Sequence, residues 1–218
     1  MKGLLRTTIL GICIAFGFEV SAQIVQPFAI RYQTNQKGGI TFVANTALTC
    51  NPNTNGCNTA TNFNTASSGS NTNNNNNWTM QYVDNDGDAS TFMSSSDSLN
   101  LPQCSEISWA GLYWCASNTN GSNTTPTGWA NRTQCKFKVN NGAYQTLTAD
   151  QIVNSSTGYL SYFCYKNVTS IVQAAGTKAR FTLADMICWT GGVNFAGGWN
   201  LVVVYKNTNM TDRNLTVF

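Results

Sequence analysis

The chain has 218 residues, 42% of them hydrophobic and only 10% charged, with a formal net charge of +3. Its twelve Lys and Arg are scattered and form no basic stripe, which argues against a nucleic-acid partner. There is no histidine and no C-x-x-C pair, so the commonest general base and the usual structural zinc sites are excluded.

In chain order, Lys2 and Arg6 form a positive n-region, residues 8–18 an apolar h-region, and Val20-Ser21-Ala22 a small-residue cleavage site. Residues 1–22 are therefore read as a secretory signal peptide, with Gln23 as the mature N-terminus. The apolar run is too short to span a bilayer comfortably, and nothing after residue 23 is apolar enough to try. Cys13 follows Ile12, where a lipoprotein signal needs a small residue, so lipidation is not expected. After cleavage the net charge is +2 and seven cysteines remain. Amides and hydroxyls outnumber charges, as suits an extracellular β protein.

Residues 26–33 and 39–48 read as the first two strands. Residues 49–77 form a polar insertion loop ending in five asparagines, and Cys50 and Cys57 are expected to pin its start with a disulfide. Residues 78–83 (WTMQYV) are a third strand, followed by an acidic turn and a serine-rich stretch. Residues 106–115 (EISWAGLYWC) come next. Strand side chains alternate, so Ile107, Trp109, Gly111, Tyr113 and Cys115 would share one face and Ala110, Leu112 and Trp114 the other. Both faces are apolar, so this strand should be covered on both sides. Cys104 and Cys115 flank it, ~35 Å apart at roughly 3.3 Å per residue, too far to pair.

After a second polar loop, residues 133–139 alternate, with Cys135, Phe137 and Val139 inward and Lys136 and Lys138 outward. Asn140-Asn141-Gly142 is a hairpin turn leading into residues 143–147. Residues 159–165 are a strand, 168–175 one short helix, and 178–187 an alternating strand with Phe181, Leu183 and Ile187 on one face. Residues 201–205 (LVVVY) are apolar on both faces and so form a second central strand. Residues 213–218 are the last strand. About ten short strands with one short helix predict an all-β fold, a single antiparallel β-sandwich of jelly-roll type over residues 23–218. The chain stops on strand residues, which leads us to expect more protein after Phe218.

Candidate chemistry is sparse. Asp84, Asp86 and Asp88 alternate in a turn, an arrangement that suits an oxygen-loving cation such as calcium, although the glycine and closing glutamate of an EF-hand are out of place. The remaining carboxylates are isolated in sequence and mark no acid–base pair, so no catalytic residues are assigned and an enzyme is not expected. Of the tryptophans at strand ends or in loops, Trp129 is the most loop-borne and is the candidate for stacking on a glycan; the others are read as core. The odd cysteine count leaves one thiol free or pairing between molecules.

Several stretches together resemble the N-terminal domain of large secreted surface proteins of gliding bacteria, which often end in a gliding-motility-associated or type IX secretion sorting domain. They are Gln26-Pro27-Phe28 with Arg31-Tyr32; Met80 to Asp84 with Asp86 and Asp88; Thr91-Phe92 with Ser94-Ser95-Ser96; Cys104 with Trp109 to Trp114; Phe137-Lys138-Val139; Asn167-Val168-Thr169 with Val172; Gly198-Trp199 with Leu201 to Tyr205; and Arg213-Asn214 with Thr216-Val217-Phe218. They run in order along nearly the whole mature chain. The resemblance implies an adhesin-like β-sandwich at the cell surface whose partners are surface glycans or other surface proteins. It also makes Asp97-Ser98-Leu99 look like the O-glycosylation triplet of such bacteria, with Ser98 as acceptor. The cysteines are more numerous than in that family, and no sorting domain is present. The alternative is a carbohydrate-binding module of a secreted polysaccharide-degrading system.

Overall fold

The computed structural model describes residues 27, 29–53, 57, 78–119, 124–155 and 160–218. The signal segment and most of the 49–77 loop therefore lie outside the described residues. Those residues hold twelve strands: β1 Tyr32–Thr46, β2 Leu48–Cys50, β3 Met80–Tyr82, β4 Ser94–Asn100, β5 Ser105–Asn118, β6 Gln134–Val139, β7 Gln145–Thr148, β8 Gln151–Asn154, β9 Leu160–Asn167, β10 Lys178–Ala184, β11 Phe195–Asn207 and β12 Asp212–Val217. One short helix, α1, spans Thr169–Ala175. The fold is an all-β sandwich. A six-stranded antiparallel sheet, in the order β12-β1-β11-β5-β9-β8, packs on a four-stranded one, β4-β10-β6-β7, beside a small β2-β3 ribbon.

The two strands apolar on both faces are paired at the centre of the larger sheet. β5 and β11 run antiparallel from Ser105 opposite Asn207 to Asn118 opposite Phe195. Ala110, Leu112 and Trp114 of β5, with Leu201 and Val203 of β11, face the smaller sheet and are fully buried. Phe137 and Phe181 answer from that sheet, stacked at 5.6 Å between ring centroids, with Leu183 beside them. Each such side chain contributes roughly 1.5–3 kcal/mol by leaving water. Three buried indole N–H groups are paired: Trp114 donates to the Arg132 carbonyl, Trp199 to Ser95 Oγ and Trp189 to the Thr124 carbonyl.

One expected face assignment is wrong. The β5–β11 register pairs Val204 with Trp109 but Tyr205 with Ile107, so Ser108 is a bulge. The extra residue turns Ile107 to the inner side, where it packs on the main core, while Trp109 stays on the outer face. Two elements differ from the sequence reading for other reasons. The serine-rich stretch is strand β4, paired along its length with β10, where Ser94 and Ser95 are buried. The first predicted strand, 26–33, is strand among its described residues only from Tyr32, and it runs on through the expected gap into the second as one strand, β1, which folds sharply at Gly38.

That fold in β1 covers part of the second face. Residues 38–46 of β1 pair with β11, whereas residues 32–37 pair only with β12. Ile40 lies opposite Val204, which lies opposite Trp109. A straight β1 would carry Tyr32 about 26 Å beyond that level, at roughly 3.3 Å per residue. Instead the rings of Tyr32 and Trp109 stack at 5.8 Å. The β12 ribbon with the front of β1 is thus a flap, folded back over the outer face. Leu215 of the flap joins Trp109, Val202 and Val204 in a second buried cluster. Gln36 donates to Ser108 Oγ on the bulge, and Arg31 reaches Gln151 on β8. Gly38 has φ 151°, and a Cβ there would collide with the Tyr205 carbonyl. The flap therefore needs glycine at its fold. Gly38→Ala is expected to cost about 3 kcal/mol in urea unfolding, against roughly 1 kcal/mol for Gly87→Ala, where φ is also positive but no atom lies near. Equal losses would show that the close approach at Gly38 is not what matters.

Candidate functional site

The outer face of the larger sheet is only half covered. Its outward positions are Ile40, Phe42 and Ala44 from β1, Gly198, Asn200 and Val202 from β11, Gly111, Tyr113 and Cys115 from β5, and Phe163 and Tyr165 from β9, as the strand registers give them; Gly111 and Val202 are buried, and Tyr165 lies under Arg31 of the flap. The small residues set its relief. Gly111 leaves room for the Trp109 indole, which a Cβ would strike. Ala44 and Gly198, with Cys115 and Asn200, border a hollow of about 350 Å³ walled by Tyr113 and Phe163. A second hollow of about 320 Å³ lies between Ile40, Phe42, Val202 and the flap residues Thr216 to Phe218. Tyr113 and Asn200 line both hollows, so the pair is the ridge between them. They are direct cross-strand neighbours.

Aromatic contacts continue from this ridge under the flap. Tyr113 and Tyr165 meet at 5.2 Å, and Tyr165 stacks with Trp109 at 6.5 Å. The Arg31 guanidinium sits 3.8 Å from the Tyr165 ring centroid. Burial pushes the Tyr113 hydroxyl up to about 12, against the pull of Arg31. Tyr113 Oη, Asn200 Oδ1 and Arg31 Nε are each buried without a hydrogen-bond partner in the structure. Of the five large apolar side chains standing exposed among the described residues, three (Phe42, Phe163 and Phe218) line these hollows.

A larger cleft, about 700 Å³, opens at one end of the sandwich between residues 124–128 and 187–190, with Tyr82, Phe92 and Phe195 on its walls. Trp129 flanks it in a short 3-10 turn, Trp129–Asn131. Its ring packs edge-on against Tyr162 at 5.6 Å and against Trp189 at 5.0 Å, with Arg132 over it at 4.4 Å. It is half-buried and joined to the main core, a packing residue at the cleft edge more than a loop-tip platform. Trp78, Trp189 and Trp199 are buried.

The acidic turn is drawn into the outer face of the smaller sheet. Asp86 Oδ2 accepts from Lys138 Nζ at 2.6 Å and from the Tyr144 hydroxyl. Asp84 accepts from Ser94 Oγ, and Asp88 from the Ser90 N–H. Among the described residues no three Asp, Glu, Cys or His side chains converge to hold a metal. Four other carboxylates have basic or backbone partners: Asp185 with Lys136, Asp150 with Lys166, Glu106 with Lys206, and Asp97 with the Ala44 N–H. Ser98 is exposed on β4, which borders the smaller sheet.

Cys50 and Cys57 form the expected disulfide, with their Cα atoms 5.9 Å apart. Cys135, Cys164 and Cys188 are buried free thiols, and burial raises all three well above the ordinary thiol range. Cys115 is half-buried and raised for the same reason, while Cys104 is exposed at φ 66° in the turn before β5. Comparison of the chain with protein-family models, with curated proteins and with solved structures finds no match.

The sequence pointed to the loops and the acidic turn and missed the outer face as a site. Its signal was present in Phe42 and Phe163, apolar residues at outward positions on strands whose neighbours are Gly, Ala and Asn.

Asp86 makes one pH-dependent contribution testable. Burial pushes its pKa up, but the bonds from Lys138, Tyr144, Ser94 and the Asp88 backbone overcome this and hold it well below the ordinary carboxylate range. The unfolded chain therefore takes up this proton first on acidification. Its stabilisation is present above the unfolded value of about 4 and is lost as pH falls toward the folded one. Lys138→Met is expected to flatten the fall in melting temperature below about pH 4 relative to the parent chain. An unchanged acid limb would show that the pair contributes nothing.

Proposed function

We propose that the chain is an exported, non-catalytic β-sandwich module of a cell-surface protein, adhesin-like, that binds surface glycans or protein partners through the outer face of its larger sheet. The observation that carries this is the open half of that face, where Phe42, Phe163 and Phe218 stand exposed around two adjoining hollows. Apolar side chains gathered this way mark an interaction surface. Support for export comes from the sequence of residues 1–22 and from the Cys50–Cys57 disulfide, a bond favoured in oxidising compartments. The resemblance to surface proteins of gliding bacteria points the same way. An intermolecular disulfide, if formed, would use Cys104, the exposed thiol. Immobilised mature chain is expected to retain intact bacterial cells or their extracted surface material in a flow assay. Retention of neither would reject the adhesin reading.

A second reading is a carbohydrate-binding module of a polysaccharide-degrading system. The paired hollows favour it, because they offer ring-sized space beside phenyl groups. Binding to one soluble polysaccharide without retention of cells would separate it from the first.

Calcium at Asp84, Asp86 and Asp88 belongs to the proposal as a regrouping in which Lys138 leaves Asp86. Added calcium is then expected to raise the melting temperature, and Asp86→Asn to abolish the rise. No shift in the parent chain rejects the site.

A further inference from the structure

We propose that the open half of the outer face is a two-subsite cradle for a neutral glycan, one sugar ring in each hollow, with the Tyr113–Asn200 ridge between them; this rests on the binding-module reading above and names its ligand class and site. Size is the first support. Hollows of about 350 and 320 Å³ fall at the low end of the range for small-molecule sites, roughly 300–1,000 Å³, and they adjoin. Two linked rings fit such a pair better than one large planar ligand.

Charge is the second. Among the described residues, no charged side chain lines either hollow. Arg31, a cation beside this face, is committed to the Tyr165 ring and to Gln151 Oε1. An anionic or cationic ligand would lose its water there and meet no opposite charge. The occupant should be neutral.

Hydrogen bonding decides between a neutral glycan and an apolar peptide side chain. Asn200 Oδ1 and Tyr113 Oη are unpaired beneath the ridge. Both atoms are already closed off, and an apolar insert would leave each unpaired, a standing cost of about 1–3 kcal/mol that it does nothing to relieve. A polyol answers both. A small turn of the half-buried Asn200 side chain brings its oxygen to a sugar hydroxyl, and the Tyr113 hydroxyl either donates or accepts. Meanwhile the C–H face of each ring has a phenyl group to lie on, Phe163 in the first hollow and Phe42 in the second.

The test is titration of the mature chain with dextran, mannan, xylan and cello-oligosaccharides of increasing length. At least one is expected to bind, with affinity rising from mono- to disaccharide and unaffected by added salt. Phe42→Ala, Phe163→Ala and Asn200→Ala should each weaken it by about tenfold or more, equivalent to about 1.4 kcal/mol. Phe92→Ala, an exposed phenylalanine at the larger end cleft, should leave it unchanged. Phe42 and Phe163 are more than half exposed, so their truncation should leave the melting temperature unaltered, which separates lost binding from lost fold. Binding untouched by these changes would place the sugar elsewhere and overturn the inference. So would binding that fades with salt, or a mature chain that dimerises through Phe42 and Phe163. Failure of every polysaccharide, with intact cells still retained, would overturn the glycan cradle and leave the adhesin reading standing.

Discussion

The structure depends on one constraint: the central β5–β11 ladder is apolar on both faces. A sheet with one apolar face needs one covering layer. This one needs two, and the chain supplies them by different means. On the inner side a separate four-stranded sheet brings Phe137, Phe181 and Leu183 down on Leu112 and Leu201. On the outer side the same sheet covers itself, by folding β1 and β12 back over Trp109, Val202 and Val204. Gly38 makes this possible, because only a residue without a Cβ fits against the Tyr205 carbonyl at that fold.

The flap is too short to finish the task. β12 has six residues and β5 has fourteen. At roughly 3.3 Å per residue they extend about 20 Å and about 46 Å. Trp109, at the near end of β5, is therefore roofed by Tyr32 and Leu215, whereas Tyr113 and Cys115 lie at and beyond the flap's tip. The open hollows follow from this mismatch of lengths together with the small side chains at Ala44 and Gly198. They do not require any irregular loop.

Much of the fold was legible in the sequence because it rests on local alternation. The inward Cys135 and Phe137, the outward Lys136 and Lys138, the Asn140-Asn141-Gly142 turn and the two doubly apolar strands each carry their signal within a few residues. So does the short helix, which starts where Asn167 Oδ1 accepts from the Thr169 N–H and ends at Gly176. What was hidden is non-local. Nothing near Ser108 marks it as a bulge; the register against Val204 and Tyr205 decides it. Ser94 to Asn100 has the composition of a turn, and only pairing along β10 makes it a strand. Gly38-Gly39 looked like a break between two strands because a bend and a break have the same composition. Trp129 looked loop-borne for the same reason, since its neighbours in sequence are polar while those in space are Tyr162 and Trp189.

The two outward faces of the sandwich offer an internal comparison. The outer face of the smaller sheet carries Lys136 and Lys138, each neutralised by an aspartate, with Thr182 and Ser96 hydrogen-bonded beside them. The acidic turn lies over that face, and its polar groups are paired with one another. Among the described residues the open half of the larger sheet has no such pairs, and it keeps phenyl rings at Phe42 and Phe163 where a hydroxyl would do. Exposed apolar strands invite aggregation unless something offsets them. Retaining them beside two unpaired polar atoms is costly for a surface that does nothing. The contrast between the faces is thus a stronger argument for binding at the outer sheet than either hollow would be alone.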